Sequence, residues 1–151
     1  MKYLKSINPL NLELINSYKI QSVKDVNNIL LKADIAQNSW SLTKIHHRTD
    51  LVNELAGVLA DHLKEYSKLI AVEMGKPISQ GISEIEKCID LCNYYIDNAE
   101  NILADKKEFC NNLTKIIAYK PIGLILGIMP WNYPFWQVFR FAIPVILSGN
   151  G

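Results

Sequence analysis

Apolar residues recur along this chain with changing period, and the changes mark its elements. Around a turn at Ile7, Asn8 and Pro9, the residues Leu12, Leu14, Ile15, Tyr18 and Ile20 read as a short strand, turn and strand. Ser22 and Asp25 make a capping-box start, and Val26, Ile29, Leu30 and Ala33 carry a helix to about Gln37, with Trp40 anchoring the connection by packing. A second helical stripe starts near Thr43. It runs through Leu51, Leu55, Val58, Leu59 and Leu63, then through Tyr66, Leu69, Ile70 and Val72 to Met74. There Gly75 can supply a left-handed cap and Pro77 cannot continue the helix. Ile78, Ile82, Ile85, Ile89 and Ile96 predict a further helix to about Leu103.

Past Lys106 the pattern alternates. Leu113, Lys115, Ile117 and Tyr119 point one way and Thr114, Ile116 and Ala118 the other, as in a strand with β-branched residues, until Pro121 interrupts it. Ile122 to Met129 is almost continuously apolar, the pattern of a strand buried on both faces. A helix from Pro134 to about Leu147 follows, with proline acceptable in its first turn. Helices, then strand, then helix indicate an α/β class, with no internal repeat and no low-complexity linker.

The stretch from Ile122 to Leu147 carries only Arg140 as a charge and has the length of a membrane helix. Pro130, Pro134 and Pro144 would disturb such a helix, and Asn132 and Gln137 add polar cost. A central Arg costs a further ~2.5–3.5 kcal/mol on insertion scales, so strand and helix are the better reading.

At 151 residues, 49% hydrophobic and 21% charged, the chain can bury the core of one domain. Its net charge of +1 is scattered, which points away from nucleic acid and anionic membranes and toward small-molecule or protein partners. The first ten residues hold no secretory-type apolar stretch, leaving the cytoplasm as the default compartment. Cys88, Cys92 and Cys110 lack metal-ligand spacing and read as reduced packing residues, so no metal is expected. His46, His47 and His62 have no carboxylate or cysteine constellation in sequence, and solvated or capping roles suit them. Glu84, Glu86 and Lys87 read as a solvated helix face.

The chemistry lies where the apolar strand ends in Pro130, Trp131, Asn132, Tyr133 and Pro134, since α/β folds bind ligands at the carboxyl ends of their strands. From the residues alone, Asn132 can be a cap for the next helix or a neutral hydrogen-bond donor. Arg140, between Phe139 and Phe141 in an apolar helix, can be a surface charge or a bidentate carboxylate binder. An unpaired charge buried there would be expensive.

The segment from Lys120 to Asn150 resembles the region of aldehyde dehydrogenases that holds their Pro-Trp-Asn-Phe/Tyr-Pro signature and the Gly-Asn step after it. Ile7, Asn8 and Pro9 resemble the family's opening strand, and Glu73, Met74, Gly75, Lys76 and Pro77 its helix-ending motif, so the resemblance spans the chain in order. The neighbourhood of Met129 to Gln137 looks most like succinate-semialdehyde dehydrogenases. The resemblance implies the helix-rich amino-terminal part of that fold over residues 1–151, an incomplete Rossmann-like coenzyme domain. Residues 113–120 resemble the start of the family's oligomerisation hairpin.

Family members attack an aldehyde with a thiol, pass hydride to NAD or NADP, and hydrolyse the thioester. By resemblance, Asn132 donates to the developing oxyanion, Ile128, Met129, Pro130 and Trp131 line the coenzyme cleft, Tyr133 walls the substrate channel, and Arg140 holds a distal carboxylate. The family's nucleophilic Cys, general-base Glu and most of its dinucleotide-binding sheet have no counterpart among these residues, and none of the three cysteines matches the nucleophile's position. The expectation is therefore an amino-terminal part that is inactive alone. The alternative is a non-catalytic remnant or module pairing with a separately encoded carboxyl-terminal half. Complete family members are homo-oligomers, and exposed edges would leave this chain prone to aggregation or dependent on a missing half.

Overall fold

In a computed structural model the described residues are 2–111 and 113–151. Strands β1 (Tyr3–Ile7) and β2 (Leu14–Lys19) form an antiparallel hairpin with Tyr3 opposite Lys19 and a bulge at Ser6/Ile7. Asn8 and Pro9 lie in its connection, where the Asn8 side chain accepts from the Leu10 amide at 2.9 Å. Pro9 abuts Gly75 closely enough that a Cβ there would come within 3.1 Å of it, so the hairpin docks at the end of the third helix.

Helix α1 (Val23–Ser41) begins with the capping box read from sequence: Ser22 Oγ accepts from the Asp25 amide and Asp25 Oδ2 from the Ser22 amide. The Ser22 hydroxyl also donates to Asp25 Oδ2 at 2.7 Å, and this bond, with that from the Ser22 amide, holds the Asp25 carboxyl below its ordinary range. The helix outlasts the expected end by four residues, and Trp40 does more than pack: its Nε1 donates to the Ile146 carbonyl at 2.9 Å. The single long helix expected from Thr43 to Met74 is instead two, α2 (Ile45–Asp61) and α3 (Leu63–Met74). His62 divides them with φ −104° and ψ 15°, a break that no Gly or Pro announces. Gly75 takes the left-handed cap at φ 69°, as the sequence predicts, and Pro77 precedes α4 (Ile78–Leu103).

Helix α4 is the spine. It packs against α2, against α3 and against α5 (Pro134–Leu147), whose bounds match the expectation. One core cluster joins Val52, Ala56, Cys92, Ala99, Ile143 and Leu147; the other joins Leu59, Ile70, Ile85 and Cys88. Ile89 and Phe139 pack against both. Gly81 lets α4 approach α3, since a Cβ there would lie 3.0 Å from the Ser67 carbonyl oxygen.

Strand β4 (Leu113–Ile117) is shorter than its alternation suggested, and it pairs with β3 (Lys106–Cys110), which the charged sequence Lys106-Lys107-Glu108 concealed. The β3–β4 hairpin runs from Lys106 to Ile117, and Asn111 enters its turn with φ 47°. Cys88 and Cys92 are buried, as expected of packing residues, and Cys110 is exposed.

The segment from Ile122 to Met129 is extended, but it is not the doubly buried strand expected. Ile122, Leu126 and Ile128 are 85%, 84% and 86% exposed. Gly151 makes one rung with it, donating to the Gly123 carbonyl at 3.0 Å and accepting from the Ile125 amide at 2.8 Å, the bonding of a parallel ladder. Burial on both faces requires layers of neighbours, and α5 supplies one where Gly127 lies against Phe141. Asn150 anchors the segment's start: its Oδ1 accepts from the Ile122 and Gly123 amides at 2.6 and 3.1 Å. Among the described residues no helix is long and apolar enough to cross a membrane.

Burial raises the Cys88 thiol to about 12 and the Cys92 thiol to about 11. At pH 8 iodoacetamide should therefore modify Cys110 in the native chain and leave Cys88 and Cys92 unmodified until denaturant is added, as read by peptide mass spectrometry. Labelling of either buried thiol at the rate of Cys110 would contradict the core described here.

Candidate active site

Asn132 stands in the short connection between the extended segment and α5, and the side chains of Glu84 and Lys76 define its surroundings. Glu84 lies on the buried face of α4, its side chain 1% exposed. Its Oε1 accepts from the Phe135 and Trp136 amides at 2.9 and 3.1 Å. Because Pro134 has no N–H, these are the first unsatisfied amides of α5, and a carboxylate there also meets the positive end of the helix dipole. Tyr133, at the N-cap, makes no side-chain cap bond of its own.

Glu84 Oε2 accepts from Lys76 Nζ at 2.7 Å, and that ammonium also donates to the Asn132 carbonyl oxygen at 3.1 Å. It lies 3.5 Å from the centroid of the Tyr133 ring, a cation–π contact. The connection is thus held by its backbone and by Tyr133, while α5 is capped from α4. Asn132 is not the cap of α5, and its residue is exposed.

The residues singled out in the sequence do not share one hollow. Asn132 and Tyr133 line a hollow of about 640 Å³ with Glu84, Lys87, Trp136 and Gln137. Ile128, Met129 and Arg140 line a shallower one of about 360 Å³ on the other side of Gln137, which borders both. Trp131, 79% exposed, faces a third with Pro9, Met74 and Phe135; Pro130 lines none of the three. Arg140 is exposed and forms no ion pair among the described residues, so the cost of burying its charge does not arise here.

Two readings change. Glu84 is not part of a solvated face, and the signal was present in the spacing: Gly81, Ile85, Cys88 and Cys92 define the buried stripe of α4, and Glu84 falls within it. His46 and His62 do have carboxylates beside them, Glu100 at 3.6 Å and Glu65 at 2.9 Å, but both pairs are exposed. Among the described residues no cluster of three or more His, Cys, Asp or Glu could hold a metal ion.

The profile of the aldehyde dehydrogenase family matches residues 1–151, and the chain belongs to that family. It is 37% identical over 150 residues to a probable succinate-semialdehyde dehydrogenase of the NADP(+) type from Synechocystis sp., covering 97% of this chain and 32% of that protein. It is 36% identical over 146 residues to the succinate semialdehyde dehydrogenase Sad of Escherichia coli, with the same shares covered.

The chain thus spans about a third of the length of the curated relatives it matches, and it corresponds to their amino-terminal part. Among solved structures, Gox0499 superposes with a TM-score of 0.94 at 28% identity, over 99% of this chain and 33% of that one. The NADP+ complex of succinic semialdehyde dehydrogenase from Streptococcus pyogenes superposes with a TM-score of 0.92 at 23% identity over the same shares, which supports the fold.

Removing one partner from a buried ion pair costs about 3–5 kcal/mol, because the other charge is left without compensation. Lys76→Met should therefore lower the urea midpoint strongly, and adding Glu84→Gln should recover most of the loss. His62→Ala, at an exposed pair, should move it little.

Proposed function

We propose that this chain is the oxyanion-binding and substrate-recognising part of an NAD(P)-dependent aldehyde dehydrogenase that oxidises succinate semialdehyde to succinate. The observation that carries this reading is the free pose of Asn132: its carbonyl is held by Lys76 and the α5 cap is filled by Glu84, which leaves its side-chain amide for a ligand. The two relatives named above, 37% and 36% identical, bear succinate-semialdehyde dehydrogenase names.

When a thiolate adds to the aldehyde carbon, the carbonyl oxygen gains negative charge, and the Asn132 amide donates to it. Such a preorganised donor is more valuable in the transition state than in the ground state. Tyr133 walls the approach to that point. Arg140 offers its guanidinium to the distal carboxylate of succinate semialdehyde, and its exposure without an ion pair supports that role. Ile128, Met129, Pro130 and Trp131 are suited to one wall of a coenzyme cleft. Ile128 and Trp131 are apolar and exposed, and the Ile128–Met129 stretch has α5 behind it through Phe141. NAD(P), when bound, accepts the hydride.

These 151 residues do not turn over aldehyde by themselves in this reading. Cys88 and Cys92 are buried with raised pKa values, and none of the three cysteines lines the hollow that holds Asn132. The compartment proposed is the cytoplasm. The assembly proposed is a homo-oligomer of the complete enzyme, with Phe109 and Leu113 on the exposed β3–β4 hairpin as the apolar contact. A second reading is a module that pairs with a separately encoded carboxyl-terminal half through the exposed row Ile122, Leu126 and Ile128.

The test is succinate-semialdehyde-dependent reduction of NAD or NADP by the chain alone and by the chain co-expressed with the carboxyl-terminal two-thirds of the Synechocystis relative. Activity is expected only in the mixture, falling about 10²–10³-fold in Asn132→Ala. Arg140→Lys should raise KM for succinate semialdehyde far more than KM for an uncharged aldehyde such as butanal. Turnover by the isolated 151 residues would refute the division of labour proposed here.

A further inference from the structure

We propose that Lys76 and Glu84 are positioning residues that set the pose of the Asn132 amide. The inference rests on the reading of Asn132 as the oxyanion donor and goes beyond it, since neither residue need touch substrate. Three observations converge. The Glu84 side chain is 1% exposed and that of Lys76 11%, so the pair is shielded from the solvent that would loosen it.

Glu84 makes two charge-assisted bonds to the first free amides of α5, at Phe135 and Trp136, and so fixes where the helix begins. Lys76 then reaches from the Gly75–Pro77 break, across 56 positions of sequence, to the Asn132 carbonyl and the Tyr133 ring. Gly75 takes the left-handed cap of α3 at φ 69° and Pro77, at φ −54°, has its φ fixed by its ring, so Lys76 leaves the chain between a capped helix end and a restricted residue. The residue whose amide must meet an oxyanion to within a few tenths of an ångström thus has its own carbonyl tied to the Lys76 ammonium and the amides three and four residues later tied to the Glu84 carboxylate that pairs with it. A misplacement of about 1 Å can cost on the order of 100-fold in rate.

A purely structural role for the pair makes a different prediction from a positioning role, and the double variant Lys76→Met/Glu84→Gln separates them. It leaves no unpaired buried charge and retains an acceptor for the α5 amides, but it removes the ammonium from the Asn132 carbonyl. Two measurements follow on the 151-residue chain and on its mixture with the carboxyl-terminal two-thirds of the Synechocystis relative. In the isolated chain, 15N relaxation at Asn132 and Tyr133 should show lower order in the double variant, while residues within α4 keep parental values. In the mixture, kcat should fall about 10–100-fold with KM for NADP within about twofold, and in an Asn132→Ala background the double variant should cost nothing further.

Parental order at Asn132 and Tyr133 overturns the positioning role whether or not the mixture is active. So does a kcat loss that persists undiminished in the Asn132→Ala background. If Asn132→Ala itself leaves kcat unchanged, the oxyanion reading fails, and the positioning role fails with it even where the loop has loosened. If Asn132→Ala is impaired and the double variant is not, only the positioning role fails.

Discussion

A carboxylate removed from water must be compensated or the fold loses several kcal/mol, and Glu84 is the one acidic side chain among the described residues placed in that position. Its compensation comes from two places in the fold: Lys76 at the break between α3 and α4, and the Phe135 and Trp136 amides at the start of α5. The same bonds that make burial of Glu84 tolerable therefore determine how α5 enters the helical layer. Because Asn132 lies immediately before α5 and gives its carbonyl to Lys76, the candidate donor inherits its position from the electrostatics of the core.

The other end of α5 is held differently. Trp40 and Gln37 on α1 donate to the carbonyls of Ile146 and Gly149, and Asn150 receives the amides that open the extended segment. These are neutral bonds to backbone atoms, each worth only about 1 kcal/mol net, yet together they close a circuit from the helix back to the segment that precedes it. Helix α5 is thus clamped by a charge at its amino end and by amides and an indole at its carboxyl end. Between the two clamps, Phe139, Ile143 and Leu147 supply the apolar contact with α2 and α4.

The chain is built unevenly. The helical layer has its core within these residues, whereas the extended segment and the β3–β4 hairpin present apolar side chains to solvent. Surface of this kind is what the remaining two-thirds of a relative's length would cover in the family fold.

Most helices and their ends were legible in the sequence because their causes are local. The Ser22–Asp25 capping box, Gly75 with Pro77, and Pro134 at the start of α5 each act within one turn of chain. The Asn132 signature was legible for the same reason, since it is contiguous. What the sequence did not reveal depends on neighbours distant along the chain. The division at His62 is marked by no Gly or Pro, and β3 showed no apolar alternation because its strand character comes from pairing with β4. The exposure of Ile122 to Met129 reflects which layers stand beside it, and apolar composition cannot report that. The periodicity of α4 placed Glu84 on the stripe with Ile85 and Cys88, but only the packed structure set Lys76 and two backbone amides around it. Spacing along one helix defines a face, and the chemistry of that face is decided by whatever is brought against it.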